Sequence, residues 1–203
     1  MEKGCAKINL ALHVTGVKED GYHILDSIVI FTDIFDRLSF KKDRKTMLTF
    51  TGEFSESLNV KKNSVIQALN LFENLLTDHF SINLEKNLPL GAGLGGGSAD
   101  AAAVIRFISN YCRHPMPSPE AISKIGADVP VCVSSLASRV GGIGEITRPI
   151  DISGINLWIV LVNPRIFVAT GVVFKEVTEK HNEPLEPFTH FRKTDQFIDY
   201  LKR

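Results

Sequence analysis

The sequence predicts an α+β fold, with antiparallel strands forming a sheet and helices packed against it, on three observations. Apolar residues alternate along Ala6–Val14, and a second apolar run over Ile24–Phe35 follows a Glu19-Asp20-Gly21 turn, which predicts paired antiparallel strands. After Asn63 the apolar residues Val65, Leu69, Phe72 and Leu76 recur at intervals of three and four, the period of a helix that lays one stripe on a sheet. Five glycines fall within the seven positions from Gly91 to Gly97, immediately before a run of small, helix-forming residues.

In the first strand Ala6, Ile8, Leu10, Leu12 and Val14 are expected to face a core and Lys7, Asn9, Ala11 and His13 the other side, so Lys7 and Asn9 share a face. Arg37–Lys41 and Thr46–Thr51 are short strand candidates. Asn63 can cap the helix that follows, because its side chain accepts from N–H groups of the first turn. Ser81–Glu85 reads as a strand delivering the chain to the glycines, and Ser98–Tyr111 and Pro117–Ile125 as helices. Gly126-Ala127-Asp128-Val129-Pro130 reads as a break with an acid in it; two short strands flank Gly141-Gly142-Ile143-Gly144-Glu145, and Leu157–Val162 is an apolar strand. Thr170–Glu179 and Thr194–Arg203 read as helices, the second with few residues to bury. His181–His190 is polar and proline-bearing, either disordered or the opening of a further domain.

The stretch Pro89-Leu90-Gly91-Ala92-Gly93-Leu94-Gly95-Gly96-Gly97-Ser98-Ala99 predicts an anion cradle. Free N–H groups of the loop and of the first helical turn converge at the positive end of a helix dipole, which suits the phosphates of a nucleotide. Gly91-x-Gly93-x-x-Gly96 has dinucleotide spacing, but Glu85-Lys86-Asn87-Leu88-Pro89 before it is not the buried apolar strand of a Rossmann unit. A Walker A loop needs lysine where Gly97 precedes Ser98, and no H-R-D segment of a protein kinase is present. Glycines that serve only close packing of a helix on a sheet are the structural alternative, although one or two would suffice for that.

At 203 residues, with 23 basic and 23 acidic side chains, the chain can bury one complete core and part of a second, and it has no broad positive field to attract nucleic acid or anionic lipid. The longest apolar runs are far short of the roughly twenty residues that cross a bilayer, and no apolar signal core follows Met1. A cytoplasmic protein with a small charged substrate, and with no nucleic-acid or membrane partner, is the expectation. Cys5, Cys112 and Cys132 are an odd number without a C-x-x-C pair, which predicts inert buried thiols and no zinc site.

Six blocks, in order, resemble the GHMP small-molecule kinases. They are Ala6-Lys7-Ile8-Asn9-Leu10, Asp20-Gly21-Tyr22-His23, Leu88-Pro89 through Asp100-Ala101-Ala102, Gly126-Ala127-Asp128-Val129-Pro130, Gly142-Ile143-Gly144-Glu145 and Val162-Asn163-Pro164. The second and fourth blocks point to the branch acting on 4-diphosphocytidyl-2-C-methyl-D-erythritol rather than on mevalonate, homoserine or galactose. The resemblance implies a GHMP kinase N-terminal, ATP-binding domain of the ribosomal protein S5 domain 2 type over residues 1–150, then the start of an incomplete, C-terminally truncated ferredoxin-like domain over 151–203. It implies transfer of the ATP γ-phosphoryl group, with Mg2+, to the 2-hydroxyl of that cytidyl diphosphate sugar alcohol in non-mevalonate isoprenoid precursor synthesis. By the same resemblance Lys7 and Asp128 are catalytic, Pro89 to Ala99 hold the ATP phosphates, and Asn63 and Lys86 lie in the nucleotide region. Asn9, Tyr22, His23 and Asp128 bind the substrate, and no metal ligand is assigned.

These residue types suit the chemistry. Phosphoryl transfer passes through a loose transition state, so positioning and charge neutralisation account for most of the catalysis. An aspartate at the acceptor hydroxyl can orient it and take its proton, and an adjacent lysine favours the ionised carboxylate. On the residues alone Lys7 reads as an exposed strand lysine, Asp128 as a helix cap and His23 as a surface histidine; the motifs assign them the other roles. Ser98 is expected to be both helix N-cap and a phosphate or magnesium contact, Asp100 to complement the helix dipole, and Glu145 to sit in a turn. Position 99 is Ala where the family has serine, Arg165-Ile166-Phe167 replaces small residues, and no Gly-Ser/Thr-Gly-Ala motif follows Pro164. Those departures set a nucleotide-binding remnant without catalysis beside the kinase reading, and predict self-association through exposed apolar surface.

Overall fold

The computed structural model of the chain describes residues 1–56, 58–60, 63–188 and 190–202. Strands β1 (Glu2–Val17) and β2 (His23–Asp43) form a long antiparallel hairpin, turned at Gly21 with φ +87°. β3 (Met47–Thr51) and β4 (His79–Glu85) are parallel neighbours connected through α1 (Ser64–Asn70). Along the edge of β2 opposite β1, β4 pairs with residues Arg37–Asp43 and β5 (Ser138–Gly142) with Leu25–Val29. β6 (Ile146–Pro149) pairs antiparallel with β5, giving the order β3-β4-β2-β5-β6. Two strands were expected over 24–41; the single 21-residue β2 forms because partners flank it along its length.

Helix α2 (Gly96–Cys112) packs on β1 and β2, with α1 on one side and α4 (Val129–Ser134) on the other. Its Ala101, Ala102 and Ala103 let the helix approach closely, so that Val104, Ile105 and Ile108 are fully buried in one core with Val29, Leu38, Ile82 and Leu84. Ser118 caps α3 (Pro119–Ser123), accepting from Ala121 N–H at 3.3 Å. α4 starts inside the segment expected to be a break. Pro130 stands in its first turn, where a missing N–H breaks no helical hydrogen bond.

Three expectations are corrected. Lys7 and Asn9 lie on the helix side of β1 and Ile8 on the other; the register shift between Asn9 and Ala11 reverses the alternation, so Leu12 and Val14, opposite Ser27 and Leu25, share the face of Asn9, and of the residues expected in the core Ala6 and Val14 are buried while Leu12 stays 41% exposed. Residues 157–162 form no strand, because no described strand lies beside them, and Trp158 is 99% exposed. The C-terminal segment does find partners. After α5 (Thr170–Lys175), Asn182 N–H bonds Val14 C=O at 3.0 Å, and Arg139 holds Asp26 through Nε at 2.8 Å and Leu185 C=O through Nη2 at 2.6 Å. α6 (Thr194–Leu201) buries Phe197 completely, against Phe191, and Tyr200 packs on Phe188 and Phe191. Arg203 of the helix expected there lies outside the described residues.

Beneath the start of α2, the Lys86 ammonium is buried between the carboxylates of Asp36 on β2 and Asp100, the latter at 2.7 Å. Asp100 thus sits inside the protein, past the first helical turn, and not at a solvent-facing dipole position. Burial works against the Lys86 charge, but Asp100 and Asp36 outweigh it and raise its pKa. Burial also pushes the Asp100 carboxyl up to about 7, against the pull of Lys86. The folded chain therefore retains a proton that the unfolded chain, with an ordinary aspartate near 3.8, releases between the two values. Stability supplied by this group falls as pH rises through that window. Urea midpoints for wild type and Asp100→Asn at about pH 5 and about pH 8 should show a decline in the wild type that the variant largely lacks.

Candidate active site

The approach to the glycine stretch is pinned before the loop begins. Lys86 N–H bonds Thr51 C=O at 2.6 Å, and one oxygen of Asp36 accepts from Asn87 N–H at 2.6 Å and Leu88 N–H at 2.8 Å. Beyond this point Gly91, Gly93 and Gly95 adopt φ +65°, +72° and +65°, left-handed conformations that a side chain would strain. Gly95 is the N-cap of α2 and no side chain caps the helix. Ser98 therefore lies inside the first turn and is not the cap, as α2 starts two residues earlier than expected. This arrangement leaves the positive end of a 17-residue helix behind a backbone loop, the setting that holds phosphate.

The loop abuts the first strand. Lys7 N–H donates to Leu94 C=O at 2.9 Å, and a methyl at Gly95 would lie 3.2 Å from Lys7 Cβ. The Lys7 side chain is buried, and its Nζ lies 3.1 Å from Asp128 Oδ2 and 2.7 Å from Asn9 Oδ1. Asn9 Nδ2 in turn donates to Ser27 Oγ at 2.7 Å, and Ser27 Oγ to Ala11 C=O at 2.6 Å, so a chain of hydrogen bonds fixes the ammonium in place. Asp128 occupies the N-cap position of α4 but makes no capping hydrogen bond, so its carboxylate is turned to Lys7. Its side chain keeps 40% exposure, enough to receive a ligand group. The Gly126 end of this segment touches the start of α2: a methyl at Gly126 would lie 3.4 Å from Ser98 Oγ.

The remaining sequence-predicted residues spread around this centre. Asn63 is buried and caps α1, accepting from Val65 N–H at 2.9 Å, while its neighbour Ser64 donates to Gly97 C=O at 2.7 Å and so brings the starts of α1 and α2 together. Lys86 lies beneath the loop, 1% exposed, with its ammonium engaged by two carboxylates. Pro89 and Leu90 line an open cleft of about 370 Å³ with Glu53, Phe54, Arg165 and Phe167, and the Phe167 ring packs on Gly91. Tyr22 is exposed at the hairpin turn, and His23 stacks on Phe174 with ring centroids 5.2 Å apart. His23 Nε2 is buried with no hydrogen-bond partner. His23 stands six residues along β2 from Val29, the partner of Asn9, which separates the two ends of the hairpin face by about 20 Å.

Sequence reasoning missed Ser27, Asp36, Asp100 in its buried role, and Phe174. None carries a local signal, since each acts through residues distant in the chain; Phe174 reads only as an apolar residue of a short helix. Glu145 does sit in a turn, accepting from Ile143 N–H at 2.6 Å. Of the thiols, only Cys132 is buried, and burial together with the nearby Asp128 charge pushes it up to about 12; Cys5 and Cys112 are half-buried.

Comparison with known proteins agrees with this geometry. The model of the GHMP kinases N terminal domain matches residues 63–143. The chain is 42% identical over 180 residues to a 4-diphosphocytidyl-2-C-methyl-D-erythritol kinase of Cereibacter sphaeroides, covering 89% of this chain and 64% of the relative. With that of Ruegeria pomeroyi it shares 42% identity over 199 residues, covering 97% and 70%. A crystal structure of 4-(cytidine 5'-diphospho)-2C-methyl-D-erythritol kinase superposes with a TM-score of 0.62 at 32% identity, over 74% of this chain and 55% of that one. A Streptococcus pneumoniae phosphomevalonate kinase, with a TM-score of 0.52 and 10% identity, shares the fold alone. The chain thus spans about two thirds of the length of the curated relatives it matches. From the glycine loop, the lysine–aspartate pair beside it and these relatives together, the chain belongs to the GHMP kinase family.

Proposed function

We propose that the chain transfers the γ-phosphoryl group of ATP to the 2-hydroxyl of 4-diphosphocytidyl-2-C-methyl-D-erythritol. The observation that carries this reading is the Lys7–Asp128 contact at 3.1 Å, set against the loop at Leu94 and Gly95. In this reading the N–H groups of the loop and of α2 bind the ATP phosphates, and Asp128 orients the acceptor hydroxyl and takes its proton. Lys7, held by Asn9, offsets negative charge between carboxylate and phosphoryl group. Magnesium takes much of its coordination from phosphate oxygens and water, so it would arrive with the nucleotide. When bound, it would neutralise phosphate charge.

The other end of the hairpin supports the substrate assignment. The His23 ring is stacked on Phe174, with its Nε2 buried and unpartnered, so a planar base finds an aromatic pair to stack on at this end. The separation of about 20 Å from Asn9 asks for an extended ligand with the base at one end and the reacting alcohol at the other. A cytidyl diphosphate sugar alcohol has that form. Among the described residues no helix is long and apolar enough to cross a membrane.

Incubation with magnesium ATP and 4-diphosphocytidyl-2-C-methyl-D-erythritol should release ADP and a 2-phosphorylated product, whereas turnover with mevalonate alone would overturn the substrate assignment. Asp128→Asn should lower kcat by about 10²- to 10⁴-fold with little change in nucleotide affinity, and an unaffected rate would remove Asp128 as the base. Phe174→Ala should raise KM for the cytidyl substrate about tenfold while KM for ATP stays put, read from initial rates with each substrate varied in turn.

A further inference from the structure

Lys86 is a buried charge for which the phosphoryl-transfer chemistry has no use. It is 1% exposed, so a nucleotide lying in the loop could not touch its ammonium without opening the core. Its backbone is gripped on both sides, N–H to Thr51 C=O at 2.6 Å and C=O from Phe54 N–H at 3.1 Å. From this fixed root the side chain runs under the first residue of α2. A methyl at Gly96 would lie 3.0 Å from Lys86 Nζ and 3.6 Å from Asp36 Oδ2, so the helix starts directly on the ammonium, with glycine at the point of contact. One turn later the same helix presents Asp100 to the same Nζ at 2.7 Å. Asp36 completes the grip: one oxygen meets the ammonium and the other accepts from Asn87 and Leu88 N–H, the last residues before the loop. Both ends of the loop, residues 87–88 and 96–100, are thereby referred to one buried group.

We propose that Lys86 is a positioning residue: gripped by Asp36 and Asp100, its ammonium sets where α2 begins, and so where the glycine loop presents its N–H groups to phosphate. The inference rests on the reading of the loop as a nucleotide site. It assigns Lys86 an action on the nucleotide through the loop and without contact.

The test separates position from stability. Lys86→Met alone leaves two carboxylates facing each other, so the decisive variant is Lys86→Met with Asp36→Asn, which removes one charge of each sign from the cluster. Its Tm should stay near that of the wild type, while Kd for ADP, measured by calorimetry, rises about tenfold or more, as expected when binding groups move by a fraction of an ångström to an ångström. Amide hydrogen exchange of residues 91–97 should speed up while the amides of Val29, Ile82 and Leu84 keep their protection. Gly96→Ala, which leaves every charge in place and favours helix, should give the same loop-confined loosening and loss of ADP affinity, and it serves if the double variant does not fold. Unchanged ADP affinity and loop exchange in a folded variant, or loop exchange that rises only in step with the core, would overturn the proposal. Failure of the wild type to bind ADP would instead sink the nucleotide reading, and the exchange comparison would still decide whether Lys86 positions the loop.

Discussion

The burial of one lysine between two aspartates is the constraint on which the rest of the site depends. An ammonium in a core is tolerable only when opposite charge and hydrogen bonds surround it, and here both carboxylates come from elements that must be held in register: Asp36 from β2 and Asp100 from α2. The side chain itself leaves the chain where β4 ends. Helix, long strand and loop entry are therefore joined at one point, and the alanines of α2 let the helix come close enough to reach it. Apolar packing supplies the attraction between layers, and the cluster ties these elements together at one buried point.

A second hydrogen-bonded chain runs on the same face of the sheet, from Asp128 through Lys7 and Asn9 to Ser27 and the carbonyl of Ala11. It differs from the buried cluster in one respect that matters chemically. Asp128 retains solvent exposure, so the line ends in a carboxylate that can meet a ligand, while the buried cluster is closed at both ends. Rigid support with one open terminus is how a reacting group is held without being occupied.

Much of this was legible in the sequence, for physical reasons that also explain the rest. The glycine stretch announced the loop because only residues lacking Cβ tolerate three left-handed positions in five, and the 63–76 stripe announced α1 because helical periodicity is local, although the helix closes at Asn70 and leaves Phe72 and Leu76 beyond it. Alternation placed Lys7 and Asn9 on one face correctly and Ala6 and Val14 in the interior, but it could not foresee that the register shift after Asn9 brings Val14 to the face of Asn9, and polarity cannot tell a solvent-facing lysine from one buried against Asp128. Asp100 was misjudged for the same reason: its partners stand 64 and 14 residues away, at Asp36 and Lys86, and no local pattern encodes them. The run at 157–162 has the composition of a strand, yet a strand exists only where a neighbour offers its backbone, and among the described residues none does.

The unbroken course of β2 has a consequence for how such a protein can change. Two ends of a single hairpin face carry His23 and Asn9, and the span between them follows from the rise along β2. An extra residue in β2 would turn its later side chains to the other face unless a bulge absorbed it, as β1 does between Asn9 and Ala11 and between Val14 and Gly16. The hairpin works as a gauge block, and lineages that keep it inherit its length.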